Sequence, residues 1–506
     1  MSRERLLGLD LGTTSLKAVL LAGDTTLAGV SVPYRIHTPH PNWAEQDPET
    51  WFAAAVQATR RVLQQAGIDA GQVAAIGLSG QSHGLVCLDG AGQALRPAII
   101  WADQRSRLEV AAVKEKIGEE RLAGWTGNPL ATGFLLPSWL WLRAHEPELA
   151  AQACKLLLPK DYLRFRLTGE IGTEPSDAGT TGLFDPAQGC WCRPLLEALD
   201  IDPALLPPVH PSSAVAGGLS QSMARATGLR AGTPVVFGGA DQACQALGNG
   251  ILRPGDLSST IGTGGQLLAP LTHPVIDPHL RLHCYNHVVP GLWWSMGAIL
   301  AAGLSLTWLR DHVLFGLTYE ILADLAASAP PGSEGLIFLP HLAGERTPHM
   351  DPQARGGFIG LTLRHDRRHL CRAVMEGVVM ALRQALDVMV GLGIPVERVI
   401  ASGGGVRHPL WLQLQADIFA RPVYRTRTDE AAAVGAGMLA GMGIGLYRDA
   451  AAAVAETVRW SEAVVMPRPE VAEVYARSYE TFRRLYPVLR PLFVAHAQDP
   501  SPPPSP

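Results

Sequence analysis

Apolar residues along this chain fall into short runs separated by glycine-rich or polar breaks. Residues 6–20, LLGLDLGTTSLKAVL, hold two such runs on either side of a Gly-Thr-Thr turn, the pattern of a β-hairpin. One carboxylate, Asp10, sits inside the first run, where burial is costly unless a cation or donors meet it. Farther on, ETWFAAAVQATRRVLQQAG places apolar positions at helical spacing and ends on a glycine stop, which predicts a helix. GQVAAIGLSGQ reads as a strand running into glycine and polar residues. VERVIASGGG repeats that pattern, and HPLWLQLQADIFA reads as another helix. Strands alternating with helices predict an α/β protein.

The hairpin pattern recurs. LDLGTT (residues 9–14) and STIGTGG (residues 259–265, continuing as QLLAP) both read as strand, tight Gly-Thr turn, strand. They lie about 250 residues apart, half of the chain. A duplicated α/β domain with one hairpin per copy accounts for this. The expected boundary is ILRPGD (residues 251–256), giving domains 1–252 and 253–490, with residues 491–506, ending AQDPSPPPSP, as a disordered tail.

Bulk properties narrow the class. At 506 residues the chain exceeds what one core usually holds. A formal net charge of −4 gives no field for nucleic acid or an anionic membrane. Residues 288–309 carry no charge for 22 positions, long enough to imitate a membrane span. Pro290-Gly291 and Gly303 interrupt that stretch, and it divides into a strand, LWWSM, and a small-residue helix, AAGLSLTWLRDHV. Seven cysteines are scattered, and Cys190 with Cys192 forms a lone C-x-C without a second pair, which argues against zinc. The opening MSRERLLGLD has no secretory pattern; with reduced thiols, this predicts the cytoplasm.

Glycine and threonine in a tight turn let backbone N–H groups converge on an anion while hydroxyls add donors. Two such turns facing across a cleft can hold the β- and γ-phosphates of a nucleotide, and Asp10 can then hold Mg²⁺, directly or through water. The plainer reading is two ordinary hairpins and an acid capping a local N–H. No Gly-Lys dipeptide occurs, so there is no Walker A loop. Gly435 to Ala440, GAGMLA, imitates a dinucleotide fingerprint but lies inside AAAVGAGMLAG, which reads as the middle of a helix, so a Rossmann domain is rejected. GGADQ (residues 238–242) follows the strand PVVF and opens a helix. Asp241 there suits either a general base accepting a hydroxyl proton or a helix N-cap.

Taken in order, GLDLGTTSLK, GLSGQSHGLVCLD (77–89), LRPAIIWADQR (95–105), LLPKDYLRFRLTGE (157–170), GGADQA (238–243), IGTGG (261–265), FLPHLAGERTPH (338–349) and SGGGVRHPLW (402–411) resemble the FGGY carbohydrate kinases over residues 5–490, and most nearly their xylulokinase branch. The resemblance implies two actin-like (ribonuclease H-like) domains with ATP and sugar in the cleft between them. It implies Asp10 as the Mg²⁺-associated acid, and Thr13, Thr14 and Lys17 in one phosphate hairpin with Gly262 and Thr263 in the other. Asp241 is implied as the base, and Gly403, Gly404 and Gly405 as the adenosine-side loop. For the sugar it implies Gln81, Ser82, His83 and Gln242, with Trp101 and Asp103 as further candidates; His83 and Trp101 also suit core packing. The implied reaction is ATP-dependent phosphorylation of D-xylulose at its C5 hydroxyl, and the implied assembly is the homodimer common in this family. Ser82 stands where the branch often has methionine, Gln242 where it often has asparagine, and Gly264 where it often has serine. The two pocket changes leave another ketose or polyol, such as ribulose or glycerol, as the alternative. A non-catalytic sugar or nucleotide sensor on the same scaffold is the rival from another class.

Overall fold

In the computed structural model, which describes residues 4–428 and 430–498, the predicted hairpin opens the fold as β1 (Arg5–Leu11) and β2 (Ser15–Ala22), with β3 (Thr25–Pro33) antiparallel to β2. Helix α1 (Pro48–Ala66) follows. Asp47 caps its start, accepting from Glu49 N, and Gly67 ends it at φ 62°. Trp51 and Val62 on one face of α1 are fully buried in the core beneath the sheet. The chain returns through β4 (Val73–Gly80), parallel to β1. After α2 (Pro159–Thr168), β5 (Val215–Gly218), β6 (Pro234–Val236) and the short β7 (Gly239–Ala240) complete a seven-stranded sheet ordered β5-β6-β4-β1-β2-β3, with β7 also beside β4.

Helix α3 (Asp241–Gly248) leads into the second sheet. That sheet comprises β8 (Gly255–Ile261), β9 (Gly265–Leu271), β10 (His283–Asn286), β11 (Trp293–Ile299), β12 (Val396–Gly403) and β13 (Val423–Arg425), in the order β10-β11-β9-β8-β12-β13. Both sheets share a motif. Three antiparallel strands (β1-β2-β3; β8-β9-β11) are followed by strands parallel to the first (β4 then β6; β12 then β13). The duplicated α/β pattern read from the sequence is this.

The uncharged stretch 288–309 is β11 and helix α4 (Gly303–His312), split as Pro290-Gly291 and Gly303 predict. No helix among the described residues is long and apolar enough to cross a membrane. Helix α5 (Arg367–Gly391) buries Val374, Val378 and Leu382 in the second core, which α6 (Pro409–Phe419) also lines. Helix α7 (Ala431–Gly443) contains the alanine-glycine run. It follows the second sheet in sequence but lies on the first: a Cβ on Gly8 would stand 1.9 Å from Ala433 O, and one on Gly77 1.8 Å from Ala436 O. Only glycine permits so close a backbone approach. Helix α7 also crosses α3, where Gly435 and Gly248 leave room for each other's backbone. Residues 431–443 therefore depart from a simple division at residue 252. The expected tail from residue 491 is also corrected: α8 (Ala472–Gln498) carries helix through Pro487 and Pro491, and residues 499–506 lie outside the described residues.

Candidate active site

The two glycine-threonine turns, the Gln81–His83 stretch, Asp241 and the 403–405 glycines all leave the carboxyl ends of strands in the two main sheets, whereas Trp101 and Asp103 follow a short strand, Ala98–Ile99, antiparallel to Glu45–Gln46. Across the first sheet, Asp10 on β1 stands opposite Ser79 on β4, and Ser79 stands opposite Gly239 on β7. Asp241 is two residues beyond Gly239, and Gln81, Ser82 and His83 follow β4. In the second sheet, Gly262 and Thr263 follow β8, and Gly404 and Gly405 follow β12. Open α/β sheets bind ligands at these strand ends.

Asp10 is 8% exposed and accepts a hydrogen bond from Ser79 Oγ at 2.9 Å. Lys17, its cross-strand partner, reaches Glu430 instead, at 2.6 Å. Burial raises the Asp10 pKa above its ordinary range despite the Ser79 bond and the Lys17 charge. The carboxylate lines a cavity of about 600 Å³ with Lys17, Gln245, Thr260, Ser402 and Gly404. Asp241 is half-buried and is the first helical residue of α3; Ala240 holds the cap position, so the N-cap reading fails. Its carboxylate accepts from Gln242 N at 2.7 Å. Burial, reinforced by the charge of Asp10, pushes its pKa up to about 7. A carboxyl poised there changes protonation state near neutral pH, as a general base requires.

The first hairpin turn is braced by Gln46, which lies outside the predicted motifs, and by Trp101. Thr13 O accepts from Gln46 Nε2 at 2.7 Å, and Thr13 Oγ1 accepts from Trp101 Nε1 at 2.9 Å. Thr14 is exposed, with its carbonyl held by Tyr34 N. Trp101 is 41% exposed, so the core-packing reading of this residue is overturned. In the second turn, the carbonyls of Gly262 and Thr263 accept from Ala302, Gly303 and Leu304, which fixes the start of α4 beside the turn. A second cavity of about 310 Å³ is lined by Gly262, Thr263, Tyr319, Gly404, Gly405 and Trp411. It shares Gly404 and Arg407 with the first cavity, so the two pockets lie side by side. Gly403 adopts φ 76°, and a Cβ there would meet Ile261 O at 2.7 Å.

Sugar-side candidates diverge. Gln81 is 1% exposed and donates to Gln46 Oε1 at 2.9 Å, while its own Oε1 is buried without a partner. Such an acceptor favours a ligand hydroxyl. His83 has φ 71°, uncommon for a residue with a Cβ, and its Nδ1 lies 2.7 Å from Thr180 O. A carbonyl neighbour requires the proton on Nδ1, leaving Nε2 as an acceptor. Burial lowers its pKa to about 4, so the ring is neutral, and it stacks on Phe134 at 4.1 Å. Ser82 is 9% exposed in the same loop, and Gln242 is half-buried in the first turn of α3. Asp103 is different. It is fully buried, and its carboxylate is taken by Ala44 N at 2.7 Å and by a bidentate pair with Arg105. It braces the loop behind Trp101, and its expected role as a sugar ligand is corrected on that ground.

Sequence reasoning missed Gln46 and Thr180, which hold the two sugar-side residues, and the hydroxyl cluster Gln245–Thr260–Ser402. There Gln245 Nε2 lies 2.9 Å from Thr260 Oγ1, and Thr260 Oγ1 lies 2.8 Å from Ser402 Oγ. A signal existed for Thr260: it occupies the position in the repeat that Asp10 fills in the first copy.

A glycine-threonine hairpin on each of two actin-like sheets, with the buried acid Asp10 beside the first, fits a kinase of small hydroxylated substrates. The chain belongs to the FGGY family of carbohydrate kinases: residues 5–248 match that family's N-terminal domain and residues 257–444 its C-terminal domain. It is 36% identical to a xylulose kinase of Staphylococcus epidermidis over 487 residues, covering 96% of this chain and 97% of the relative. A gluconokinase of Bacillus subtilis is 32% identical, covering 87% of each chain. The crystal structure of xylulose kinase from Rhodospirillum rubrum superposes with a TM-score of 0.90 at 35% identity, covering 97% of this chain and all of that one.

Proposed function

We propose that the chain transfers the γ-phosphoryl group of ATP to the C5 hydroxyl of D-xylulose, giving D-xylulose 5-phosphate and ADP. The observation that carries this is the placing of two carboxyls, Asp10 and Asp241, at strand ends on either side of β4, with the pKa of Asp241 raised to about 7. Asp241 accepts the hydroxyl proton as the phosphoryl group moves, while Gln81 Oε1 and His83 Nε2 accept hydrogen bonds from sugar hydroxyls. The turns after β1 and β8 offer backbone N–H groups to the phosphates, and the 403–405 loop bounds the adenosine side. Positioning and charge stabilisation supply the acceleration, since the phosphoryl transition state is loose.

The donor set at Asp10 suits Mg²⁺: one buried carboxylate, met by a serine hydroxyl and, among the described residues, by no cation at bonding distance, beside turns built for phosphate. Bound there, Mg²⁺ would neutralise charge on the β- and γ-phosphate oxygens. The seven cysteines are all free thiols, which fits a reducing compartment, the cytoplasm.

ADP release with ATP-Mg²⁺ tests the reading against D-xylulose, D-ribulose, glycerol, D-gluconate and no sugar. Turnover with D-xylulose at least tenfold above the others is expected. Preference for another member would preserve the base and the phosphate site and assign the change to Ser82 and Gln242. Folded protein that binds ATP yet phosphorylates none would defeat the proposal.

A further inference from the structure

Beneath the two loops that carry the sugar-side and base residues lies a wholly buried charged lattice with no part in the chemistry above. Lys160, Asp161, Arg164, Glu174 and Asp177 are all 0% exposed. Lys160 Nζ lies 2.8 Å from Asp161 Oδ1, 3.4 Å from Asp177 Oδ2 and 3.7 Å from Glu174 Oε1. Burying five ionisable groups is expensive, and apolar residues of similar volume would often serve stability as well or better. What the lattice touches is therefore informative.

It touches the turn that delivers Asp241. Lys160 Nζ donates to Phe237 O at 3.1 Å, and the Arg164 guanidinium lies 4.6 Å from the centroid of the Phe237 ring. Ala240 N, immediately before Asp241, donates to Ser176 Oγ at 3.0 Å, and Ser176 Oγ donates to Glu174 Oε1 at 2.9 Å. Ser212 Oγ donates to Glu174 Oε2 at 2.8 Å, and Ser212 O accepts from Gly238 N at 2.9 Å. Three stretches of the turn, at Phe237, Gly238 and Ala240, are thus pinned by one lattice. The turn runs close against its neighbours, since a Cβ on Gly238, at φ 82°, would meet Leu78 O at 2.1 Å and one on Gly239 would meet Val288 Cγ1 at 2.2 Å, and the lattice fixes it from the side opposite the β4 pairing. Lys160 also backs the other loop: a Cβ on Gly80, just before Gln81, would meet Lys160 Cβ at 3.0 Å.

We propose that the Lys160–Glu174–Ser176 lattice is a positioning device for the base, holding the Asp241 carboxylate at the distance and angle that proton transfer requires. The inference rests on Asp241 being that base. Ser176→Ala deletes one oxygen, frees Ala240 N and keeps the fold's volume. It should lower kcat at least about tenfold, in line with the penalty for misplacing a catalytic group by a fraction of an ångström. KM for ATP and sugar should stay within about twofold, because the groups assigned to hold the substrates are untouched. The acid limb of kcat should keep its midpoint while its plateau falls, since position and not basicity is lost. Ser212→Ala is the companion variant: it removes a bond to the same carboxylate at the same depth but leaves the Gly238 N acceptor, which is backbone. It should lose stability with at most about a threefold fall in kcat. Equal kcat losses in the two variants, or wild-type kcat in folded Ser176→Ala, would reduce the lattice to a structural element. Asp241→Ala separates the two claims. If that variant still transfers phosphate, the base assignment fails; if it is inactive while Ser176→Ala is normal, only the positioning claim fails.

Discussion

The two halves of the molecule place different residues at one shared position. In the first sheet Asp10 pairs with Ser79 across parallel strands and accepts a hydrogen bond from its hydroxyl at 2.9 Å. In the second, Thr260 pairs with Ser402 in the same register, and their hydroxyls lie 2.8 Å apart. Each is followed by a glycine turn, and each neighbouring strand ends in glycine. The backbone was therefore kept in both halves while the charge was kept in one. A phosphate cradle needs two turns with free N–H groups, which glycine supplies symmetrically. A metal acid and a base are needed once, and two more carboxylates in the same cleft would repel the substrate. On the proposed reading the second half gives its room to the nucleoside: its turn, Gly404, Gly405 and Trp411 bound a pocket whose acid, Glu320, lies off the turn.

Importing the second half's residue into the first is the strongest way to break this comparison. Asp10→Thr should fold, because Ser79 keeps a hydroxyl partner as Ser402 does. Its kcat should fall about 100-fold or more, the scale seen when an electrostatic stabiliser of transferring charge is removed. The Mg²⁺ concentration for half-maximal rate should rise about tenfold. A variant with unaltered metal dependence would remove Asp10 from that role.

The second effect is on pH. With the pKa of Asp241 raised to about 7, kcat/KM should rise with pH, losing about tenfold per unit below that value and levelling above it. Stability runs the other way. Between about pH 4, where a free carboxyl titrates, and 7, the folded state holds a proton that the unfolded state has released, so stability falls as pH rises through that window. Asp241→Asn removes this slope along with activity. Its melting temperature should gain on the wild type's between pH 5 and pH 8. An equal offset at both would mean that the cleft does not raise the Asp241 pKa.

Much of this architecture is legible in local pattern. Both hairpins, the strand-helix alternation, Asp10 within an apolar run and Asp241 at a glycine-rich strand end are features of a few consecutive residues. The rest depends on which distant segments meet. Asp103 reads as a free acid because Arg105, two residues on, bonds it through a loop geometry that spacing does not encode. Trp101 reads as a further sugar-side candidate that also suits core packing, and its exposed ring and its bond to Thr13 speak against the core. Helix α7 is legible as a helix, yet its place on the first sheet follows from Gly8 and Gly77, whose missing side chains make sense only once Ala433 and Ala436 are seen against them. The lattice under Asp241 joins residues 160, 174, 176, 212 and 237, each of them ordinary where it stands in the sequence.

The smallest effect tests whether the second copy of the shared position is chemically silent. Thr260→Ala removes the hydroxyl that joins α3, through Gln245, to β8 and, through Ser402, to β12. One partly buried hydrogen-bonded hydroxyl contributes about 1 kcal/mol, so a lowered melting temperature of that order is expected. The turn after β8 keeps its backbone donors, and no charge leaves the cleft, so kcat should stay within about threefold of wild type and Mg²⁺ dependence should not move. Measured beside Asp10→Thr, this variant fixes the division of labour. If losing the Thr260 hydroxyl lowered turnover as far as losing the Asp10 carboxylate, both halves would take part in the chemistry, and the matching backbones would reflect a matching role.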